Sequence, residues 1–167
     1  MDAARRGFLR GRLSRSAHVP RPPWAVAPGQ FEQLCTRCGD CVTQCPTRII
    51  RSGEGGYPTL DFSAGECTFC GDCVAACAPH ALHRADGVAP WALKAVIGDR
   101  CLTGQGVECR ICAENCDAGA IRCRPALGGI ARPELQSDRC TGCGACVAPC
   151  PVGAIGVAQS NPMEIEQ

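Results

Sequence analysis

Apolar residues of this chain occur in short clusters that recur just after groups of closely spaced cysteines. The five-residue segments PTRII, APHAL, DAGAI and PVGAI each follow the last cysteine of such a group. A valine also follows the third cysteine of three groups, at Val42, Val74 and Val147. These valines predict the start of a short apolar helical turn in each of the three groups.

Alternating apolar and polar residues between the cysteine groups predict short strands. GYPTLDFSAGEC and GIARPELQSDRC have this pattern, and AIRCRPALGGIARPEL predicts a β-hairpin around Gly128 and Gly129. The segment GVAPWALKAVIGD is interpreted instead as a connector. No window of 18 apolar residues exists, so no transmembrane helix is predicted.

The composition indicates a thin hydrophobic core that needs additional crosslinks. The 167 residues are 46% hydrophobic but only 4% aromatic, and 17 of them are cysteines. Small chains with thin cores use disulfides, metal ions or clusters as staples. A purely disulfide scheme leaves one of the 17 cysteines unpaired. The net charge of +1 gives no indication of nucleic acid binding.

The N-terminal 30 residues differ from the rest because they carry six arginines against one aspartate. Within them, ARRGFLR is close to the core of a twin-arginine export signal. An export signal also needs an apolar region of roughly 7–15 residues, and Arg15, His18, Arg21 and several prolines interrupt every such run. We therefore predict a cytoplasmic protein with a flexible basic tail; a docking arm is the alternative interpretation.

The cysteines form four related motifs. Three have the spacing C-x2-C-x2-C-x3-C, and the third motif is stretched to CLTGQGVECRICAENC. This spacing is typical of loops that hold cubane 4Fe–4S clusters, and in bacterial ferredoxins the fourth cysteine binds the other cluster of a pair. The predicted metal ligands are Cys35, Cys38, Cys41, Cys45, Cys67, Cys70, Cys73, Cys77, Cys101, Cys109, Cys112, Cys116, Cys140, Cys143, Cys146 and Cys150.

Zinc binding and disulfide bonding fit the cysteine spacing less well than clusters do. Structural zinc typically takes four ligands from two separate C-x2-C pairs, and disulfides do not require such regular intervals. Glycines after the second cysteine, at Gly39, Gly71 and Gly144, fit a loop that needs positive φ. Pro46 and Pro151 directly follow a fourth cysteine, as the ferredoxin pattern has it.

The motifs are predicted to work in pairs, one with two and three with four. Pairing two with three has a similar interval and stays open, but the hairpin predicted between three and four favours the first scheme. Each set takes three cysteines from one motif and the fourth from its partner. The sets are Cys35, Cys38, Cys41 and Cys77; Cys67, Cys70, Cys73 and Cys45; Cys101, Cys109, Cys112 and Cys150; and Cys140, Cys143, Cys146 and Cys116.

The stretched third motif and the remaining cysteine carry open alternatives. Arg110 and Ile111 replace the usual glycine and its neighbour, and the insertion LTGQGVE could form a loop over the cluster. We favour Cys101 as an ordinary ligand. The alternative is that Cys101 does not bind and that one iron of this cluster has no cysteine ligand. Cys123, outside all four motifs, is interpreted as a structural thiol rather than a ligand or reactive group.

These observations predict an α+β fold of two tandem units resembling bacterial ferredoxins. Each unit has two short β-ribbons and two short helices around a pair of clusters. The predicted parts are a basic arm (1–30), a first unit (31–97), a second unit (98–158) and a C-terminal tail (159–167). No G-x-G-x-x-G fingerprint or P-loop is present, so we expect an electron-handling protein that is not an enzyme.

The chain resembles the NapF family, the ferredoxin-type accessory proteins of periplasmic nitrate reductase. The resemblance rests on ARRGFLRGR, RPPW, CTRCGDC, GGYP, IGDRCLTGQGVECRIC and CTGCGACVAPCPVGAI, which span about residues 3 to 156. The stretched third motif and the arginine arm with RPPW are the specific parts. Because the stretch is a family trait, the resemblance favours Cys101 as a ligand.

The resemblance implies a cytoplasmic protein with several 4Fe–4S clusters, most simply four. Family members are thought to act on the catalytic subunit of periplasmic nitrate reductase before its export, in cluster assembly or redox loading. Other iron–sulfur proteins of the same pathway are further candidate partners. The alternative is a ferredoxin that relays electrons to the reductase from a quinol-side iron–sulfur protein.

Overall fold

The structure is a computed structural model that describes residues 19–126 and 128–160. The arginine-rich segment ARRGFLR therefore lies outside the described residues, as does the chain after residue 160. Within the described part, no helix has the length and apolar character needed to cross a membrane.

The first half of the described chain is a hairpin flanked by three short helices. Strands β1 and β2 are antiparallel, and the buried side chains of Ile50 and Leu60 lie opposite each other in their register. A 3-10 turn, Glu54–Gly56, joins the two strands. The elements are α1 (Pro28–Leu34), α2 (Asp40–Thr43), β1 (Ile50–Ser52), β2 (Pro58–Leu60) and α3 (Asp72–Ala75).

The second half consists of two antiparallel ribbons and one short helix. Strands β4 and β5 pair from Ile121↔Leu135 to Arg124↔Arg132, which confirms the predicted hairpin. Strands β3 and β6 pair across the whole second half. The elements are β3 (Leu93–Ile97), α4 (Ile111–Glu114), β4 (Ile121–Arg124), β5 (Arg132–Leu135) and β6 (Ile155–Gln159), with a 3-10 turn at Leu102–Gln105.

The connector interpretation of GVAPWALKAVIGD is wrong for residues 93–97, because they form β3. Leu93 and Ala95 are buried, whereas Val96 is exposed, so the segment alternates as a strand does. Its partner β6 lies about 60 residues further along the chain, in the register Ala95↔Val157. Periodicity over five residues is a weak signal, and such a distant partner leaves no trace in local sequence. The boundaries 31–97 and 98–158 stay predictions.

The layout of helices and ribbons differs from the predicted one, in which each of two units has two ribbons and two helices. In the described residues, the first half has one ribbon and a single bridge between Ala25 and Leu82 in place of a second ribbon. The fourth motif forms a turn instead of a helix. In the first motif, the amide of Gln44 donates to the Asp40 carbonyl at 2.9 Å. Pro149 occupies the equivalent position, and proline has no amide hydrogen to donate.

The Pro-rich end of the N-terminal arm is packed into the fold, while the basic tail before residue 19 lies outside the described residues. Pro22 and Trp24 are buried, and the Trp24 amide donates to the Pro90 carbonyl at 2.7 Å. The Trp24 ring also meets Phe69 edge-on, with centroids 6.4 Å apart. Burying an indole removes a large apolar surface from water, which holds this segment against the first half.

Candidate metal centres

The structure gathers the sixteen cysteines of the four motifs into quartets, which we call centres 1 to 4. Cys35, Cys38, Cys41 and Cys77 of centre 1 line one cavity of about 50 Å³. Phe31, Val42 and Leu82 complete its apolar wall. A site needs only about 10–15 Å³ of such space to admit one water-sized atom. The quartet therefore surrounds room for an inorganic group.

Centre 2 combines Cys67, Cys70 and Cys73 with Cys45 from the first motif. Burial, followed by the nearby thiols of Cys45 and Cys70, raises the pKa of Cys67 to about 11. Burial and the thiols of Cys67, Cys70, Cys41 and Cys45 raise the pKa of Cys73 to about 12. The same four sulfurs thus lie within electrostatic reach of one another, with Cys41 of centre 1 close by.

Centre 3 contains the stretched motif, and the structure brings Cys101 into it. Cys101, Cys109, Cys112 and Cys150 line one cavity of about 20 Å³. The inserted residues form the 3-10 turn Leu102–Gln105, which ends at Gly106 with φ of 85°. This turn places the Thr103 hydroxyl 3.3 Å from the Cys101 sulfur. The insertion therefore redirects the chain without taking Cys101 away from the quartet.

Centre 4 contains Cys140, Cys143 and Cys146 together with Cys116 from the third motif. All four line a further cavity of about 20 Å³. Burial and neighbouring thiols, first Cys143 and then Cys140 and Cys112, raise the pKa of Cys146 to about 12. For centres 1, 3 and 4 one cavity is lined by all four cysteines of a predicted set. Centre 2 rests on the proximity of its thiols alone, and ligation itself stays a prediction for all four.

Backbone amides point at the sulfur of the fourth cysteine of each motif. The amides of Leu82, Ala120 and Ala154 donate to Cys77, Cys116 and Cys150 at 3.4, 3.3 and 3.3 Å. Amide–sulfur bonds of this kind stabilise thiolates and tune cluster potential. The donors lie in the segments that recur after each motif, so these repeats form the walls of the centres.

The recurring segments reach this geometry through a left-handed residue three positions after the fourth cysteine. The φ angles there are 56° at Arg48, 56° at His80, 58° at Gly119 and 57° at Gly153. The turn reverses the chain so that the next amides face back toward the sulfur. The first half achieves this with two side chains that disfavour positive φ, and the second half uses glycine.

The glycines after the second cysteine confirm the expected backbone conformation. Gly39, Gly71 and Gly144 have φ angles of 86°, 88° and 83°. Gly39 and Gly71 immediately precede α2 and α3. In the third motif Arg110 holds this position with a φ of −127°, so the longer loop avoids positive φ there.

Two of the fourth cysteines have lowered pKa values despite their burial. Burial raises the pKa of Cys45, but the Thr47 hydroxyl and the amides of Ile50, Ile49 and Thr47 bring it below its ordinary value. For Cys150, burial is likewise outweighed by four amides, so its pKa falls as well. The hydrogen bonds that lower these two pKa values favour the thiolate over the thiol, and the thiolate is the form that binds iron.

Cys123 lies beside centre 3, a position that the sequence did not reveal. Burial and then the Cys123 thiol, ahead of Cys101 and Cys109, raise the pKa of Cys112 to about 11. Cys123 is half-buried in β4 and opposite Pro133, which lines the centre 3 cavity. The interpretation of Cys123 as a structural thiol stays a prediction.

The arrangement suits clusters better than single ions. Within residues 19–126 and 128–160, no group of three or more His, Cys, Asp or Glu side chains is placed to hold one metal ion. Zinc bonds thiolates at about 2.3 Å, which requires the four sulfurs to crowd around a point. The quartets of centres 1, 3 and 4 instead line cavities, and the amide donors to the cysteine sulfurs fit the chemistry of iron–sulfur clusters.

Comparison with known protein families matches two separate stretches of the chain. Residues 34–82 match a 4Fe–4S dicluster domain, and residues 107–154 match a second 4Fe–4S dicluster domain. The first match contains motifs one and two, and the second contains all of motifs three and four except Cys101. Two tandem dicluster domains with mixed helices and strands define a ferredoxin-type iron–sulfur protein, whose cofactors are 4Fe–4S clusters.

Individual relatives narrow this class further. The ferredoxin-type protein NapF of Escherichia coli strain K12 is 46% identical over 155 residues, covering 93% of this chain and 94% of that protein. NapF of Haemophilus influenzae is 47% identical over 161 residues, covering 90% and 91%. The chain belongs to the NapF family of ferredoxin-type proteins.

A more distant relative is also a ferredoxin-type protein. The methylamine utilization ferredoxin-type protein MauM of Methylobacillus flagellatus is 36% identical over 164 residues, covering 86% of this chain and 68% of that protein.

Proposed function

We propose that this protein binds four 4Fe–4S clusters and serves in the maturation of the catalytic subunit of periplasmic nitrate reductase. The sixteen cysteines of centres 1 to 4 are the ligands, and the protein acts in the cytoplasm on the subunit before export. It assembles or reduces the cluster of that subunit and is not itself an enzyme. Membership of the NapF family supports the choice of partner.

The observation that carries this proposal is the convergence of four complete quartets. Centres 1, 3 and 4 each have all four cysteines lining one cavity. The only chemistry these groups supply when clusters are bound is one-electron transfer or the handling of iron and sulfide. Both fit a protein that loads another iron–sulfur protein.

The first experiment is the iron and acid-labile sulfide content of anaerobically purified protein. Four cubanes require about sixteen of each per chain. About sixteen supports all four centres, the stretched motif included. A content near eight would contradict the proposed ligand sets, because two quartets would then bind no cluster.

The maturation role is tested by incubating protein loaded with iron-57 with the cluster-free catalytic subunit. Cluster assembly predicts that the label moves to the subunit. Redox loading predicts that the label stays while the cluster of the subunit becomes reduced. If the two proteins do not associate and neither change occurs, the maturation proposal is wrong.

The N-terminal arginines up to Arg15 are the proposed docking arm, and they lie outside the described residues. Because Pro22 and Trp24 are buried in the first half, a truncation that tests the arm should end at residue 18. We expect this truncation to weaken binding to the subunit and leave the iron content unchanged. Unchanged binding would remove the arm from the proposal.

A second candidate is an electron carrier between a quinol-side iron–sulfur protein and the reductase. The presence of four quartets in one chain also fits this role, since a relay passes electrons through a series of clusters. Rapid oxidation of the reduced protein by mature reductase would support this role. Failure of every centre to accept electrons at quinol potentials would exclude it.

A further inference from the structure

The two halves of the molecule meet where motif four passes beside motif two. The Cys67 amide of centre 2 donates to the Cys143 carbonyl of centre 4 at 2.8 Å. The Trp91 indole Nε1 donates to the Thr141 carbonyl at 2.9 Å. We call this region, formed by Phe62, Cys67 and Trp91 against residues 141–144, the junction.

Two glycines of motif four make this approach possible. Their backbone conformation alone does not explain why these positions are glycine. The residue before the second cysteine has positive φ in three motifs, at Arg37, Phe69 and Gly142. Arginine and phenylalanine tolerate it in the first half. Only Gly142 faces the Leu93 carbonyl and Trp91 indole so closely that a methyl group there would overlap both.

Gly144 shows the same contrast against its own counterparts. Gly39, Gly71 and Gly144 have nearly the same φ, so they share the same conformational reason for being glycine. A methyl group at Gly39 would meet nothing within 4 Å. A methyl group at Gly144 would overlap the Phe62 ring. Gly144 is buried under this ring, whereas Gly39 has open space beside it.

An aromatic row lies along the junction and joins three rings of the first half to Trp91, which lies in the segment leading to β3. The rings of Trp24, Phe69, Trp91 and Phe62 follow one another with centroid separations of 6.4, 5.5 and 6.2 Å. Each pair is edge-to-face, the favoured arrangement of neighbouring aromatic rings. Val147 and Val157 of the second half pack against the core of the first half. The junction is therefore an apolar contact as well as a hydrogen-bonded one.

The junction joins particular centres. Centres 1 and 2 exchange their fourth cysteines, and α2 packs against α3. Centres 3 and 4 exchange their fourth cysteines in the second half. The residues lining the centre 1 cavity all lie between 31 and 82, and those lining the centre 3 cavity all lie between 97 and 155. No junction residue lines the cavity of centre 1 or of centre 3, whereas residues 141–144 line that of centre 4 and Cys67 belongs to centre 2. The junction therefore brings centres 2 and 4 together.

We propose that the junction positions the four centres in the order 1, 2, 4, 3. Gly142 and Gly144 have no side chains, which lets Trp91 and Phe62 pack directly against motif four and brings centre 2 beside centre 4. The order along the molecule differs from the order along the chain. This inference rests on the proposed ligand sets. Clusters held by these quartets would supply one-electron transfer between neighbours, and centres 1 and 3 would be the ends of the series.

The test separates the halves in the full, cluster-loaded chain. A recognition sequence for a site-specific protease is inserted after Gly87, within residues 83–89, all of which are exposed. After cleavage, we expect both fragments to elute as one species. In the Gly144→Ala variant, we expect at least a tenfold larger fraction of dissociated fragments at the same dilution. Gly39→Ala is the matched control, with the same φ and no neighbour, and its fragments should stay together.

Electron paramagnetic resonance of the uncleaved, fully reduced protein gives a second measurement. Splitting that does not change with microwave frequency reports magnetic coupling between clusters. Part of this splitting should disappear in Gly144→Ala and persist in Gly39→Ala, with couplings inside each half retained in both. Equal association and equal coupling in the two variants would overturn the junction.

Iron content distinguishes the failure of the junction from the failure of the ligand assignment. If the wild-type protein contains clearly fewer than about sixteen iron atoms per chain, the proposed ligand sets fail irrespective of the junction. If Gly144→Ala alone loses iron, the double variant Gly144→Ala/Phe62→Ala decides the matter. Recovery of iron in the double variant supports the contact with Phe62, and no recovery overturns it.

Discussion

The two halves of this protein each contain two cysteine quartets, but they differ in the number of large apolar side chains that surround them. The first half, with the segment leading to β3, contains Trp24, Phe31, Tyr57, Phe62, Phe69 and Trp91. Residues 98–160 contain no aromatic residue. The buried cluster of the first half includes Phe31, Ile49 and Leu82, whereas that of the second half is Ala95, Ile121, Cys146 and Ile155.

This difference teaches how much each half depends on its cysteines. Aromatic and large aliphatic side chains remove much more apolar surface from water than alanine or cysteine does. Two of the four buried residues of the second cluster are Ala95 and Cys146. We infer that cluster binding supplies a larger share of the folding free energy in the second half.

Removal of iron is the change with the largest expected effect. Treatment with a chelator under reducing conditions should abolish most of the far-ultraviolet circular dichroism, because metal binding and folding are coupled when the core is thin. Proteolysis of the stripped protein should degrade residues 98–160 before residues 28–82. Equal resistance of both halves would contradict the comparison, and a native-like spectrum would contradict the coupling.

Loss of one ligand in the stretched motif should remove one cluster. Cys101→Ser is expected to reduce iron by about four atoms per chain, from about sixteen, because its quartet loses one thiolate. Cys123→Ser is the matched control, and its iron content should stay at the wild-type value. If both variants retain the same iron, Cys101 is not a required ligand; if Cys123→Ser loses four atoms, Cys123 is one.

Truncation of the most buried aromatic ring tests the apolar support of the first half. Phe31 is 0% exposed and packs against Tyr57 with ring centroids 6.3 Å apart. Phe31→Ala should destabilise the protein by about 3–5 kcal/mol, measured as a lower temperature of cluster loss. Ile121→Val in the second half should have the smaller effect of about 0.5–1.5 kcal/mol. An equal decrease would show that the two cores contribute alike.

The left-handed residues after the fourth cysteines provide a smaller test of the same contrast. Gly153→Ala adds a methyl group that meets nothing within 4 Å, so its effect comes from positive φ alone and should be about 1 kcal/mol of destabilisation. His80→Gly makes the opposite change in the first half and should relieve strain of similar size, partly offset by glycine's flexibility when unfolded. Thermal unfolding measures both, and destabilisation by His80→Gly as large as that by Gly153→Ala would argue against strain at this position.

The smallest expected effect concerns threonines two residues after a cysteine. The Thr47 hydroxyl lies 3.6 Å from the Cys45 sulfur, and the Thr103 hydroxyl lies 3.3 Å from the Cys101 sulfur. A bound thiolate can only accept, so the hydroxyl donates. Replacing either threonine by valine should raise the energy of the reduced centre by about 1 kcal/mol, which lowers its reduction potential by tens of millivolts. Redox titration measures the shift; unchanged potentials would show that the hydroxyls point elsewhere.

Local sequence determined the chemistry of this protein because ligand spacing is itself a local property. The intervals within each motif predict which cysteines share a loop, and the structure gathers the predicted quartets, Cys101 included. The positive φ at Gly39 and the hairpin around Gly128 and Gly129 were equally readable, since glycine and alternation act over a few residues. The recurring segments after the fourth cysteines were visible as repeats, although their role as amide donors was not.

Tertiary structure decided what depends on residues far apart in the chain. The pairing of β3 with β6, the burial of Trp24 and the proximity of Cys123 to Cys112 left no local signal, because each partner lies elsewhere in the sequence. Gly39 and Gly144 are indistinguishable within their motifs, yet only Gly144 lies under an aromatic ring. Spacing therefore determined which cysteines share a loop. Long-range packing decided how the centres are arranged, because packing depends on contacts that local patterns do not encode.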